Sequence, residues 1–175
     1  WEVKPGEGGS VHLEANPSVF QAQARSASFG SFAAFAFSRS GKFIATPGSV
    51  FDIASGTEVM RTIPRGQTAV AFGIGDSDLI VANDAGVIEV RLVDAKEAVR
   101  ITGVPAARAV DFSPSGGYLA IGGAEGEVQI IDVNGWRKVT SFKHAEPVES
   151  VAFTADGRWL AVIGEHVADS HDTRS

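Results

Sequence analysis

A short motif that keeps restarting constrains this chain more than any other feature. Phe37-Ser38-Arg39-Ser40-Gly41, Phe112-Ser113-Pro114-Ser115-Gly116 and Phe153-Thr154-Ala155-Asp156-Gly157 each close one apolar run and open another. Phe72-Gly73-Ile74-Gly75-Asp76 is a degenerate fourth instance. The four phenylalanines stand 35, 40 and 41 residues apart. A second marker is the Asp that ends the third run of each unit. It falls at Asp52, Asp94, Asp132 and Asp172, at intervals of 42, 38 and 40 residues. Two markers with one period imply a structural unit of roughly forty residues.

Inside each unit the apolar runs are short and separated by Gly, Pro, Ser and Asp, the pattern of antiparallel strands joined by turns. Strand a is expected at 34–37, 69–72, 109–112 and 150–153. Strand b follows at 42–46, 78–82, 117–121 and 158–163, and strand c at 49–53, 87–93, 127–133 and 166–172. Strand d is expected at 58–63, 97–101 and 137–142. Helical spacing of apolar residues is weak, so no long helix is expected. The fold class is therefore all-β, with four-stranded antiparallel sheets forming blades of a partial propeller of about four blades. The units run 34–68, 69–108, 109–149 and 150–175, the last without its strand d. Residues 1–33 are expected to hold the end of a preceding blade and a long connection. In that reading 1–6 ends a strand c, 11–15 is a strand d, and 16–33 is the connection.

Several stretches resemble the WD-repeat β-propeller family. The carriers are Val110-Asp111-Phe112-Ser113-Pro114-Ser115-Gly116 with Leu119-Ala120, and Val128-Gln129-Ile130-Ile131-Asp132. His144-Ala145-Glu146-Pro147-Val148-Glu149-Ser150-Val151-Ala152-Phe153 is the best single match, with a His before strand a as the family often has. The family's naming Trp is replaced by Phe51, Val93, Ile131 and His171; Trp1 alone preserves it. The family's His–Asp–Ser/Thr–Trp set is incomplete in every unit, so apolar packing is expected to hold the sheets. The resemblance implies a fold and says little about function.

Composition narrows the partners. There are 21 acidic and 15 basic side chains, a formal net charge of −6, and no basic stripe of the kind nucleic acid requires. Nucleic acid is not expected as a partner. With no Cys, disulfides and thiolate metal sites are excluded, which fits a reducing, intracellular and cytoplasmic setting. No apolar run approaches the ~18 residues of a membrane-spanning helix, so no membrane insertion is expected.

Candidate chemistry competes with plainer readings. Gly122-Gly123-Ala124-Glu125-Gly126 has the glycine content of a phosphate loop but neither its Lys nor its helix, and a b–c turn with positive φ explains it better. Ser40-Gly41-Lys42 reads as an a–b turn. Glu165, His166, Asp169, His171 and Asp172 are ligand-type side chains for zinc or another divalent ion, against the simpler reading of an exposed turn. His144 reads as a structural His reaching a neighbouring strand. Trp136 and Trp159 read as packing residues, with a partner anchor as the alternative. No Ser/His/Asp set or carboxylate pair stands out, and no cofactor, metal or catalytic residue is assigned.

The expected function is a non-catalytic interaction scaffold. The resemblance implies that d–a and b–c loops share one face, where the sequence offers Arg65, Asn83, Asp84, Arg108, Glu125, Lys143, His144, Glu146 and His166 as partner-facing residues. Phe37, Phe72, Phe112, Phe153 and the four Asp markers are expected to be structural. The alternatives are an enzyme or ligand-binding domain with a central-funnel site, and a purely structural arc whose partner is the rest of its own ring. A start at Trp1 and a stop without strand d lead to the expectation of an incomplete propeller, completed by further sequence or by another polypeptide.

Overall fold

A computed structural model of the chain describes residues 2–5, 11–14, 35–46, 49–61, 67–83, 86–91, 96–101 and 106–172. Among these residues regular structure is entirely β-strand, seventeen strands in five antiparallel sheets. A hairpin pairs β1 (Glu2–Pro5) with β2 (Val11–Glu14). The first four-stranded sheet holds β3 (Ala36–Phe37), β4 (Phe43–Thr46), β5 (Ser49–Asp52) and β6 (Glu58–Arg61). The second holds β7 (Gln67–Phe72), β8 (Asp78–Asn83), β9 (Gly86–Arg91) and β10 (Lys96–Ile101). The third holds β11 (Ala107–Phe112), β12 (Tyr118–Gly123), β13 (Glu127–Asp132) and β14 (Arg137–Lys143). The fourth has three strands, β15 (Ser150–Phe153), β16 (Trp159–Ile163) and β17 (Ala168–Asp172). Within every sheet, consecutive strands are neighbours. This is the architecture of propeller blades.

The a–b turns show why the Phe spacing is structural. The residue four past each Phe takes a left-handed backbone in all four copies: Gly41 at φ 73°, Asp76 at 57°, Gly116 at 68° and Gly157 at 66°. Asp tolerates that region better than most side chains, which accounts for the degenerate second copy. The residue just after Phe closes the hairpin. Ser38, Gly73, Ser113 and Thr154 each donate their N–H to the carbonyl of the residue five further on. In three copies the hydroxyl also accepts the N–H of that residue, at 3.0 to 3.1 Å from Phe43, Tyr118 and Trp159. The four Phe pair with Ile44, Leu79, Leu119 and Leu160 on strand b, so they occupy one equivalent position.

The Asp marker is less regular than its spacing suggests. Asp52, Asp132 and Asp172 lie opposite Phe43, Tyr118 and Trp159, at the start of strand b. In the second sheet the residue opposite Asp78 is Arg91, and Val90, not Val93, takes the position expected of the Trp. Asp94 and Val93 lie outside the described residues. With Arg91 in place the interval becomes 39, 41 and 40 residues. The second and fourth sheets share the same spacing between strands b and c, since Ala82 pairs with Val87 and Ile163 with Ala168, each five residues on; the second sheet differs in carrying Arg91 where the fourth carries Asp172.

The sheets stack through their alternating faces. On β8, Leu79 and Val81 join Ala45, Val50 and Met60 of the first sheet, while Ile80 and Ala82 join Leu119, Ile121 and Ile131 of the third. On β12, Ala120 turns the other way and meets Leu160, Val162 and Val151 of the fourth. A period of two thus feeds two seams from one strand. Each fully buried Leu, Ile or Val contributes roughly 1.5–3 kcal/mol. Gly122 exists for such a seam: a Cβ there would sit 2.3 Å from Val148 Cγ1. Trp136 packs against the seam between the second and third sheets.

The pattern stops at the fourth sheet. Leu160 and Val162 face the third sheet and are buried, whereas Trp159 and Ile163, on the opposite face, are 38% and 45% exposed. At the other end Phe35 and Phe37 are 62% and 59% exposed and meet edge to face, with ring centroids 5.9 Å apart.

Candidate functional site

The d–a and b–c connections of the third and fourth sheets form the best-defined loop cluster. His144 follows β14 and is buried, 2% exposed. Its Nδ1 lies 3.0 Å from the carbonyl oxygen and 3.2 Å from the backbone N of Glu146, a tight local clasp. Its Nε2 makes no hydrogen bond and lies 3.6 Å from Asp169 Oδ2 on β17, so the ring does reach a neighbouring strand. The Glu146 side chain crosses to the next connection, where Oε2 accepts the N–H groups of His166 at 2.7 Å and Val167 at 3.2 Å. His166 Nδ1 lies 3.4 Å from Glu146 Oε1. The His166 backbone N–H, together with that of Val167 and the His166 ring, holds the Glu146 carboxyl below the usual carboxylate range.

Space at this junction is reserved by glycine. A Cβ on Gly164 would come within 2.8 Å of both the His144 ring and the Glu146 side chain, and one on Gly126, at φ 82°, within 2.7 Å of the His144 and Glu146 carbonyls. Gly126 also confirms the b–c turn reading of the glycine-rich stretch.

Of the residues expected to face a partner, Arg108, Glu125, Lys143 and His166 are exposed, and Glu146 is half-buried and engaged. Asn83, 6% exposed, and His144 are buried, which removes both from the accessible surface. Burial follows from their places at the end of β8 and in the clasp beneath the d–a loop. Arg65 and Asp84 lie outside the described residues.

The ligand-type residues near the carboxyl-terminal end do not converge. Asp169 faces His144, His166 faces Glu146, and His171 stacks on Phe142 with centroids 4.0 Å apart. Asp172 lies 3.9 Å from Arg158 Nε. Among the described residues no group of three or more His, Asp and Glu is placed to hold a metal ion. His171 Nε2 is buried without a hydrogen bond, beside a groove of about 470 Å³ floored by Ile130, Phe142 and Leu160.

One functional-looking residue carried no flag in the sequence reading. Asp111 of β11 is half-buried, and its Oδ2 accepts the Phe153 N–H at 2.7 Å. Burial pushes its carboxyl above the usual range, opposed by the N–H groups of Phe153 and Phe112. The signal available was the residue preceding the repeat Phe, which is Ala36, Ala71 and Ala152 in the other units.

Blades of this kind define a class, and two comparisons bear on it. The family model described as WD domain, G-beta repeat, matches residues 136–172. That stretch runs from β14 through β17, so the matched repeat begins on the outer strand of one sheet and ends on the third strand of the next. The fold is similar to the beta-propeller domain of Cps50 (Swd1) from Myceliophteria thermophila, with TM-score 0.68 and 18% identity, over 78% of this chain and 50% of that one. The chain thus spans about half the length of that structure. No curated protein matches the sequence. The family model thus marks one WD-type repeat at 136–172, and the structural likeness shows a β-propeller fold. No helix among the described residues is long and apolar enough to cross a membrane.

Proposed function

We propose that this chain is a non-catalytic part of a WD-repeat propeller and serves as a protein-interaction scaffold within a larger protein or complex. The observation that carries the reading is the Glu146 crosslink. It fastens the d–a loop to the next b–c turn through two backbone N–H groups and leaves Arg108, Glu125, Lys143 and His166 exposed. Loops fixed on a rigid scaffold, with charges of both signs, suit recognition of another protein's surface. Arg65 and Asp84 extend this face in the sequence reading. The scaffold would work inside the cell, in a setting that requires no disulfides. The test is affinity purification of the full protein from its own cells, native and with Arg108→Glu, Glu125→Lys and Lys143→Glu combined. The expected result is loss of at least one stoichiometric partner with an unchanged melting temperature. Identical partner sets from both forms would overturn the proposal.

A further inference from the structure

The four repeat phenylalanines share a destination. Phe37, Phe72, Phe112 and Phe153, one from each of the four larger sheets, line a single cavity of about 300 Å³ at the a–b turn end. The charged side chains lining it are Arg39 and Asp111, and they do not neutralise each other. Arg39 Nη1 donates to the Pro114 carbonyl at 2.8 Å. The environment of Asp111 is set by burial and by two backbone N–H groups, with no cation contributing. A carboxylate has about four acceptor sites, and two N–H groups leave some of them unfilled.

A half-buried carboxylate without a counter-charge is unfavourable, and an incoming cation relieves it. Apolar aromatic walls suit the other part of such a ligand, because Lys and Arg carry long alkyl stems and their charged heads are attracted to aromatic faces. An anionic or neutral side chain would leave Asp111 uncompensated. We infer that this cavity takes the lysine or arginine side chain of an extended segment of a partner protein. The site lies at the opposite strand ends from the loop face proposed above. It rests on the scaffold reading only in taking the ligand to be a protein.

The test titrates the 175-residue chain with the Nα-acetyl methylamides of lysine and arginine, read by NMR shifts of the Phe72, Phe112 and Phe153 amides. Norleucine and glutamate derivatives serve as neutral and anionic controls. Asp111→Asn keeps an acceptor for Phe153 while removing the charge, so it separates binding from folding. Lost charge-assisted bonding should weaken both cationic probes by roughly tenfold or more in that variant. Arg39→Ala, which removes a like charge, should bind them more tightly. Binding should also weaken as pH falls and Asp111 takes up its proton. Equal binding of norleucine and lysine probes, undiminished binding by Asp111→Asn, or no shifts with either cation would overturn the inference. The Arg108/Glu125/Lys143 variant should bind these probes normally, so failure here is distinct from failure of the loop-face reading.

Discussion

Asp111 Oδ2 and the Phe153 backbone N–H, 42 positions apart in sequence, join the third and fourth sheets through a 2.7 Å hydrogen bond. The seams on the other side have Ala36 and Ala71 at the equivalent position and lack this bond; between the first and second sheets the Ser40 hydroxyl donates to Asp76 instead. Asp111→Ala strands the Phe153 N–H and is expected to cost about 1–3 kcal/mol. Asp111→Asn retains an acceptor oxygen and should stay within about 1 kcal/mol of the native chain at neutral pH. Urea unfolding of the three proteins checks this. Equal losses for Ala and Asn would show that the bond itself contributes nothing.

Acid titration should separate two carboxyls of opposite sign. The Asp111 pKa is raised above its ordinary 3.8, so the stability linked to it is full below that value and is lost as pH rises through the folded pKa. The Glu146 pKa is lowered below its ordinary 4.5, so its contribution is present above that value and is lost as pH falls through the folded pKa. The urea midpoint of Asp111→Asn should therefore gain on the native chain as pH climbs from below 3.8 through the folded pKa. The deficit of Glu146→Gln should be largest at neutral pH and shrink in acid. A parallel pair of curves would contradict both assignments.

Gly122→Ala should be costly although it adds one methyl. That methyl would meet Val148, which is fully buried, at 2.3 Å from Cγ1 and 2.9 Å from Cβ. Overpacking of this kind costs about 1–3 kcal/mol. Gly135→Ala, with nothing within 4 Å of the new methyl, is the control and should leave the melting curve nearly unmoved. Val148→Ala in the Gly122→Ala background should recover part of the loss, as expected for residues in direct contact.

Ile163 exposes an apolar side chain at the position that Ala82 and Gly122 hold buried in the second and third sheets, and Trp159 on the same face is 38% exposed. Exposed faces of this kind favour association. Trp159→Lys with Ile163→Glu is expected to lower the weight-average mass in sedimentation while leaving the melting temperature within a few degrees, since neither side chain is in a buried seam. Unchanged association would mean that this face plays no part in it.

How far the sequence could be read follows from what each residue encodes locally. The Phe marker was legible because a fixed backbone need, a left-handed residue four positions on, accompanies it in all four copies. Strand positions were legible to within a few residues for the same reason, since alternation and turn chemistry are local. Asp94 misled because its letter matched while strand register puts Arg91 opposite Asp78, and register is a property of paired strands that no single side chain announces. The reach of His144 to a neighbouring strand was legible, but its partner Asp169, like the Phe153 bond to Asp111, depends on how separate sheets lie against each other. A lone Asp among Ala residues was the only trace of that bond. Burial of Asn83 and His144 was hidden because polar residues near loops are usually accessible.

The one-sided packing of the outermost sheets has a consequence for motion. The second and third sheets are clasped by neighbours on both faces, and the first and fourth by a described neighbour on one. In a linear array whose stability is a sum of intrinsic and nearest-neighbour terms, opening costs least where a unit has one neighbour. For the 175-residue chain taken by itself, amide hydrogen exchange should therefore be graded, slowest on β8 and β12 and faster on β4 and β16.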